Sequence, residues 1–216
     1  MVLRALGRFN SRHGHVDVGH SYRGPPISVE GMRVVAGVAG GQRLRAPAGR
    51  RLRPTSERVR EALFNSLGSL DAICGATVLD LFAGTGALGI EALSRGATSA
   101  VFVDADAQAV RAVEDNLGAT GLGGRARVVQ ADVFRFLAGA PALPTFDVAF
   151  ADPPYAFDDW ARLLALVPAR LVALEARSHV ELGLGWHPLR SRRYGDTVVT
   201  LARRPDAEPA ETEEEG

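Results

Sequence analysis

The chain has 216 residues, 46% of them hydrophobic and 23% charged, which suits one soluble α/β domain with a small appendage. No apolar run approaches the ~20 residues a membrane-spanning helix needs. The single cysteine, Cys74, excludes an internal disulfide framework, and both features fit a cytoplasmic protein. Formal net charge is zero, but every one of the 25 basic residues is arginine and the charge is unevenly placed.

Residues 1–31 hold three of the five histidines (His13, His15, His20) among scattered Gly, Arg and Pro with no periodicity. They read as a disordered extension in preference to a metal motif, and they lack the apolar core of a secretory signal. A start at Met32 would leave them as a leader. Residues 32–70 read as a small β element followed by a helix. Arg33–Ala36 and Gln42–Arg45 are short strand candidates around Gly40-Gly41. Thr55 or Ser56 caps a helix to about Leu67, with Val59, Leu63, Phe64 and Leu67 on its apolar face and Gly68 at its end. Residues 33–60 carry eight arginines against one acid, Glu57, and arginine suits bidentate phosphate contacts.

Residues 71–204 alternate regularly. Strand Thr77–Phe82 leads to helix Ala87–Arg95, strand Ala100–Asp104 to helix Ala107–Leu117, and strand Ala126–Gln130 to helix Val133–Leu137. Strand Phe146–Ala151 leads to helix Asp158–Leu166, and strand Leu171–Glu175 follows. His187–Arg192 and Thr197–Ala202 form a closing hairpin around Tyr194-Gly195-Asp196. Such alternation predicts a mostly parallel sheet with helices on both faces, and ligands at the carboxyl ends of the strands. Residues 205–216 hold six acids and no base and read as a disordered acidic tail. Its simplest role is solubility; folding back on the arginines as an RNA mimic is the alternative.

Two motifs carry chemistry. Gly84-Thr85-Gly86-Ala87-Leu88-Gly89 spells GxGxxG, and Asp104 lies at the end of the next strand. That pattern by itself also fits a dinucleotide enzyme, because glycines admit a ligand to the backbone and an acid accepts from two ribose hydroxyls. Asp80, just before the loop, would repel a pyrophosphate and favours the cationic amino-acid end of S-adenosylmethionine. Asp132, after the third strand, can accept from an adenine amino group while Val133 packs against the ring; the plainer reading is a helix N-cap.

The second motif is Asp152-Pro153-Pro154-Tyr155, at the end of the fourth strand. An exocyclic amine of a base is a poor nucleophile, because its lone pair is delocalised into the ring. Ionised Asp152 accepts hydrogen bonds on both oxygens. The carbonyl of Pro153 adds an acceptor, held inward by two prolines. Tyr155 offers a stacking face for an extruded base. Guanine presents two adjacent donors to such a carboxylate, whereas adenine N1 is an acceptor, so the motif leans toward guanine.

With these residues in view, the chain resembles the RsmD-type 16S rRNA guanine-N2 methyltransferases over roughly Met32 to Arg204. The resemblance rests on Arg53 to Asn65 (RPTSERVREALFN), on Leu79 to Ala97, and on Asp152–Tyr155. It implies a Rossmann-like S-adenosylmethionine-dependent methyltransferase fold, a seven-stranded and mostly parallel sheet with a small N-terminal β element. It implies transfer of a methyl group to guanine N2 in 16S rRNA within the small ribosomal subunit, with no metal and no membrane. It places S-adenosylmethionine against Asp80, Phe82, Ala83, Gly84, Thr85, Gly86, Asp104, Ala105, Asp132 and Val133, and the base at Asp152, Pro153, Pro154 and Tyr155. Arg53, Thr55, Arg58, Arg60 and Asn65 would face the cofactor or the RNA. Read from local spacing alone, Arg58 and Arg60 make surface ion pairs with Glu57 and Glu61.

Other residues read as structural. Cys74 is an inert core or loop thiol, His179 and His187 serve packing, Trp160 and Trp186 belong to core or rim, and Phe134 and Phe136 face the sheet. The rival readings are a DNA amino-methyltransferase and a catalytically idle RNA-binding assembly factor. The first would need a larger target-recognition domain than the roughly 45 residues before the first sheet strand. The intact glycine loop, Asp152 and Tyr155 argue against the second.

Overall fold

The computed structural model describes residues 32–46, 57–139 and 146–205. Seven strands form one sheet: β1 (Thr77–Leu81), β2 (Ser99–Asp104), β3 (Ala126–Gln130), β4 (Phe146–Ala151), β5 (Ala169–Ala176), β6 (His187–Tyr194) and β7 (Thr197–Arg203). Their order is β3-β2-β1-β4-β5-β7-β6. The first five are parallel and β7 pairs antiparallel to both β5 and β6. Among the described residues five α-helices accompany them: α1 (Glu57–Gly68), α2 (Ala87–Ser94), α3 (Ala107–Thr120), α4 (Val133–Ala138) and α5 (Trp160–Leu166). This is the α/β architecture expected from the sequence. β3 and β4 keep the expected limits, β5 begins two residues earlier than expected, and α5 begins at Trp160 instead of Asp158.

Side-chain alternation in the central strands explains the two layers. Val78, Val148, Phe150, Leu171 and Ala173 point into one core with Leu63, Phe64 and Leu67 of α1, Leu88, Ile90 and Leu93 of α2, and Val113 and Leu117 of α3. Leu79, Leu81, Ala149, Val172 and Leu174 point the other way, against Val133 and Leu137 of α4, Leu163 and Leu164 of α5, and Trp186. A strand buried on both faces reads as a continuous apolar run, which is why β4 was legible. The carboxyl ends of β1, β2, β4 and β5 therefore open on one side, between the α2 and α4 layers.

Residues 32–46 depart from expectation. The two anticipated strands reduce to a single antiparallel bridge, Arg33 to Arg43, with Val34 donating to Gln42 and Leu44 to Met32. The N–H groups of Val35 and Ala36 go instead to the carboxylate of Glu91 on α2, at 2.7 and 3.0 Å. Ser94 accepts from Ala39 N–H and donates to Ala36 carbonyl. Asn116 on α3 accepts from Arg45 N–H and donates to the carbonyls of Arg45 and Thr85. Gly37, at φ 85, meets Ser94 so closely that a Cβ would lie 2.0 Å from its carbonyl oxygen.

Glu91 also holds Arg60. The Arg60 side chain is fully buried, its Nε lies 3.7 Å from Glu91 Oε2, and its Nη2 donates to the Arg33 carbonyl. Burial pulls the Arg60 pKa below its ordinary value, opposed by Glu91, Glu57 and Glu175. Removing one partner of a buried ion pair leaves the other desolvated and costs about 3–5 kcal/mol. Glu91→Ala should therefore lose about that much in urea unfolding. A loss below about 1 kcal/mol, the range of an exposed pair, would refute the assignment.

Candidate active site

β1 hands the chain to the glycine loop through Phe82, whose φ of 59 is unusual for a side chain of that size. Ala83 N–H donates to Val103 carbonyl on β2, so the turn is anchored across the sheet. Gly84 (φ 57) donates to Asp104 Oδ2 at 2.9 Å, and Asp106 N–H donates to Oδ1. Both Asp104 oxygens are thus held by the backbone. A carboxylate has about four acceptor positions, so two remain for ligand hydroxyls. Around Gly84 there is open space: a Cβ there would meet only the Phe82 carbonyl, at 3.8 Å.

Asp80 is buried on the α2 side of the sheet, in register between Phe102 and Phe150. Its Oδ2 accepts from Gly89 N–H at 2.9 Å, which caps the first turn of α2. Burial raises its pKa to about 8, opposed by the Gly89 hydrogen bond and assisted by the charges of Asp152 and Asp104. Asp132 caps α4 through Arg135 N–H at 2.9 Å.

The other wall comes from the loop after β4. Pro153 is buried, Asp152 half-buried and Tyr155 exposed. Phe157 follows and meets Phe82 at 5.3 Å, Trp160 at 4.9 Å and Phe134 at 6.1 Å between ring centroids. Arg177, just beyond β5, lies 4.1 Å over the Tyr155 ring. These elements enclose a cavity of about 1150 Å³ that is lined by Asp80, Phe82–Thr85, Asp104, Asp132, Val133 and Asp152–Phe157 together. Among the described residues, seven acids and one arginine line it.

A family model described as Conserved hypothetical protein 95 matches residues 32–203. The Ribosomal RNA small subunit methyltransferase D of Escherichia coli strain K12 is 43% identical over 187 residues, covering 80% of this chain and 90% of the relative. The chain belongs to the RsmD family. A solved structure of the Escherichia coli protein yhhF, provisionally assigned as a methyltransferase, superposes with a TM-score of 0.70 at 33% identity, covering 80% of this chain and 97% of that one. A hypothetical protein of a Thermus species gives 0.68 at 40% identity, covering 79% and 98%. The fold is that of S-adenosylmethionine-dependent methyltransferases, as the family leads one to expect.

The residues expected to hold cofactor and base fall together at this cavity in this RsmD-family chain, with one exception. Gly86 does not line it. A Cβ there would press on Val113 and Ile90 at 3.2–3.3 Å, so Gly86 (φ 76) lets α2 and α3 approach. Of the expected RNA-facing residues, those that the structure describes are not among the cavity's lining. Arg53 and Thr55 lie outside the described residues, as do the leader and the acidic tail. Arg58 and Asn65 are exposed on α1 and are not lining residues. Arg60 is neither an RNA contact nor a surface ion pair, because it is buried against Glu91.

The structural expectation for two histidines also changes. His179 and His187 are exposed, and His179 Nδ1 lies 3.0 Å from Ser191 Oγ. Phe134 packs on Phe157 and under Arg162 and, with Phe136, against the core that includes Leu79, Leu81 and Val103 of the sheet. Other expectations hold: Trp186 is core, with its Nε1 donating to Leu164 carbonyl, Trp160 is rim, and Cys74 is an exposed loop thiol. Phe157, Glu175 and Arg177 line the cavity without having been singled out. The signal for Glu175 and Arg177 was their place at the carboxyl end of a parallel strand.

The raised pKa of Asp80 has a consequence for the free protein. Between the ordinary 3.8 and about 8 the folded chain holds a proton on Asp80 that the unfolded chain has released. Stability then falls as pH rises through that window. Asp80→Asn keeps the acceptor for Gly89 and removes the titration. In urea unfolding between pH 5 and 8 the variant should gain on the wild type as pH rises. Parallel pH profiles for the two proteins would rule this out.

Proposed function

We propose that this chain transfers the methyl group of S-adenosylmethionine to the exocyclic N2 of a guanine in 16S rRNA of the small ribosomal subunit. The observation that carries the reading is that the glycine loop and the Asp152–Tyr155 loop open into one cavity, in a chain of the RsmD family. The printed name of the Escherichia coli relative, a small subunit rRNA methyltransferase, supports the substrate class.

The residues present fit S-adenosylmethionine. The acid-lined interior suits a cation, Asp104 has acceptor positions left for ribose hydroxyls, and Val133 beside Asp132 gives an apolar edge for a ring. Asp80 lies at the end expected for the cationic amino-acid moiety, whose charge would draw Asp80 into its ionised form. Bound there, S-adenosylmethionine supplies an electrophilic methyl group on a sulfonium.

The chain then acts on the base. Tyr155 stacks against an extruded guanine, a contact worth about 1–3 kcal/mol. Asp152 accepts from N1–H and N2–H, and the Pro153 carbonyl accepts the second N2–H. These bonds turn the N2 lone pair toward the methyl. The new bond forms from N2, the carbon–sulfur bond breaks, and Asp152 is the acceptor nearest the proton that N2 gives up. Alignment of two held reactants supplies much of the rate, up to about 7–11 kcal/mol in favourable cases.

The test is tritiated methyl transfer from S-adenosylmethionine to small subunits lacking the modification, to free 16S rRNA and to duplex DNA. Label should appear on a guanine of the rRNA and fall by roughly 10²-fold or more with Asp152→Ala, the scale for losing one transition-state hydrogen-bonding group. Label on DNA alone would make the chain a DNA amino-methyltransferase. Cofactor binding with no transfer to any substrate would favour an assembly factor.

A further inference from the structure

We infer that the edge strand β6, with Arg177 at the cavity rim, is the rail that binds the phosphates of the RNA strand and leads it to Tyr155. The inference rests on the methyl-transfer reading above and says where that substrate's backbone lies.

β6 runs His187–Tyr194, and every residue but Tyr194 is exposed. It points at the site: Tyr194 and, beyond the turn, Asp196 and Thr197 line the cavity. Residues 177–195 carry four arginines (177, 190, 192, 193) and one acid, Glu181. Among the described residues, ion pairs are made by Arg33, Arg60, Arg95 and Arg162 and by none of these four. Charged side chains on an edge strand also guard it against pairing with other chains. That role needs no order, yet two of these side chains are placed. Arg190 donates to Ser66 Oγ at 2.7 Å, and Arg193 donates to the Arg177 carbonyl at 3.3 Å. Arg177 in turn covers one face of Tyr155. Arg193 and Arg177 thus continue from the stacking ring, while Arg190 and Arg192 lie on the α1 face of the same edge strand.

Coulomb forces make the division of labour. The described lining of the cavity is mostly acidic and disfavours a polyanion, so a base can enter while its backbone stays at the rim. Single-strand sites combine a cationic track with an aromatic platform in this way. Among the described arginines of the N-terminal stretch, Arg60 is buried and Arg33 is paired with Glu57 at 3.2 Å, while Arg43, Arg45 and Arg58 are exposed.

The test uses the full chain with Arg192→Ala/Arg193→Ala and, as a charge-preserving control, Arg192→Lys/Arg193→Lys. Binding to free 16S rRNA and to unmodified small subunits is measured from 50 to 200 mM salt, with methylation kinetics. The alanine pair should weaken RNA binding roughly tenfold and reduce the salt slope by about 1.4, the value for two phosphate contacts to a single strand. KM for RNA should rise with kcat unchanged, and S-adenosylmethionine binding by calorimetry and the melting temperature should not move. The lysine pair should restore the salt slope. Unchanged KM and salt slope, with RNA methylated by the wild type, would overturn this inference alone. Loss of subunit binding with free rRNA binding intact would also overturn it, assigning the strip to a ribosomal protein. A wild type that methylates no RNA would sink the methyl-transfer reading and this inference with it.

Discussion

The Glu91 carboxylate holds together three parts of the chain that share no strand pairing. It sits on α2, the helix that follows the glycine loop, with no solvent exposure. It accepts the N–H groups of Val35 and Ala36, binds Arg95 on its own helix at 2.6 Å, and faces Arg60 from α1. A buried carboxylate is tolerated only when such partners are supplied. Residues 32–46 are thereby committed to the helix layer instead of forming a sheet of their own. Asn116 extends the tie, donating to both Arg45 and Thr85, so the N-terminal segment and the glycine loop share one side chain. Met32 reaches the cavity wall beside Thr85 as a result.

The site inverts the usual logic of a core. Asp80 lies in register between two phenylalanines, where an apolar residue would pack without cost, and its pKa is raised to about 8. Perturbed carboxylates of this kind concentrate where a ligand supplies the missing counter-charge. The positive φ of Phe82 beside it is a second local departure, and such departures cluster at functional sites. Neither favours the fold by itself. Both become intelligible if the favoured state has a cation in the cavity, beside the aromatic wall of Phe82, Phe157 and Trp160.

The alternation of strands and helices was legible because its signals are local: apolar runs of strand length, glycines at turns, aspartates at helix starts. The same holds for the site residues that follow strand ends. Arg60 was misread although its position carried a clue. With Leu63, Phe64 and Leu67 it falls at the spacing i, i+3, i+4, i+7 of the buried stripe of α1. Its acidic neighbours suggested a surface pair, and the partner that justifies burial, Glu91, is thirty-one residues away in the sequence. Arg177 and Phe157 were missed for a related reason. Their roles depend on rings brought together from different strands, and no periodicity encodes that.

What turns the glycine motif away from a dinucleotide is the hydrogen bond that Gly89 N–H gives to Asp80. In a dinucleotide-binding turn the start of the helix receives a pyrophosphate. Here the Gly89 N–H is taken by Asp80. A Cβ on Gly89 would lie 2.3 Å from the Phe102 ring and 3.1 Å from Asp80 Oδ2. The third glycine therefore admits Phe102 and a carboxylate to the helix start, and that carboxylate shares its cavity with Asp104, Asp132 and Asp152. A pyrophosphate brought there would meet negative charge where the dinucleotide motif offers free N–H groups. The same letters in sequence thus build a helix start whose Gly89 N–H is already taken, and the residue that takes it, Asp80, lies before the motif begins.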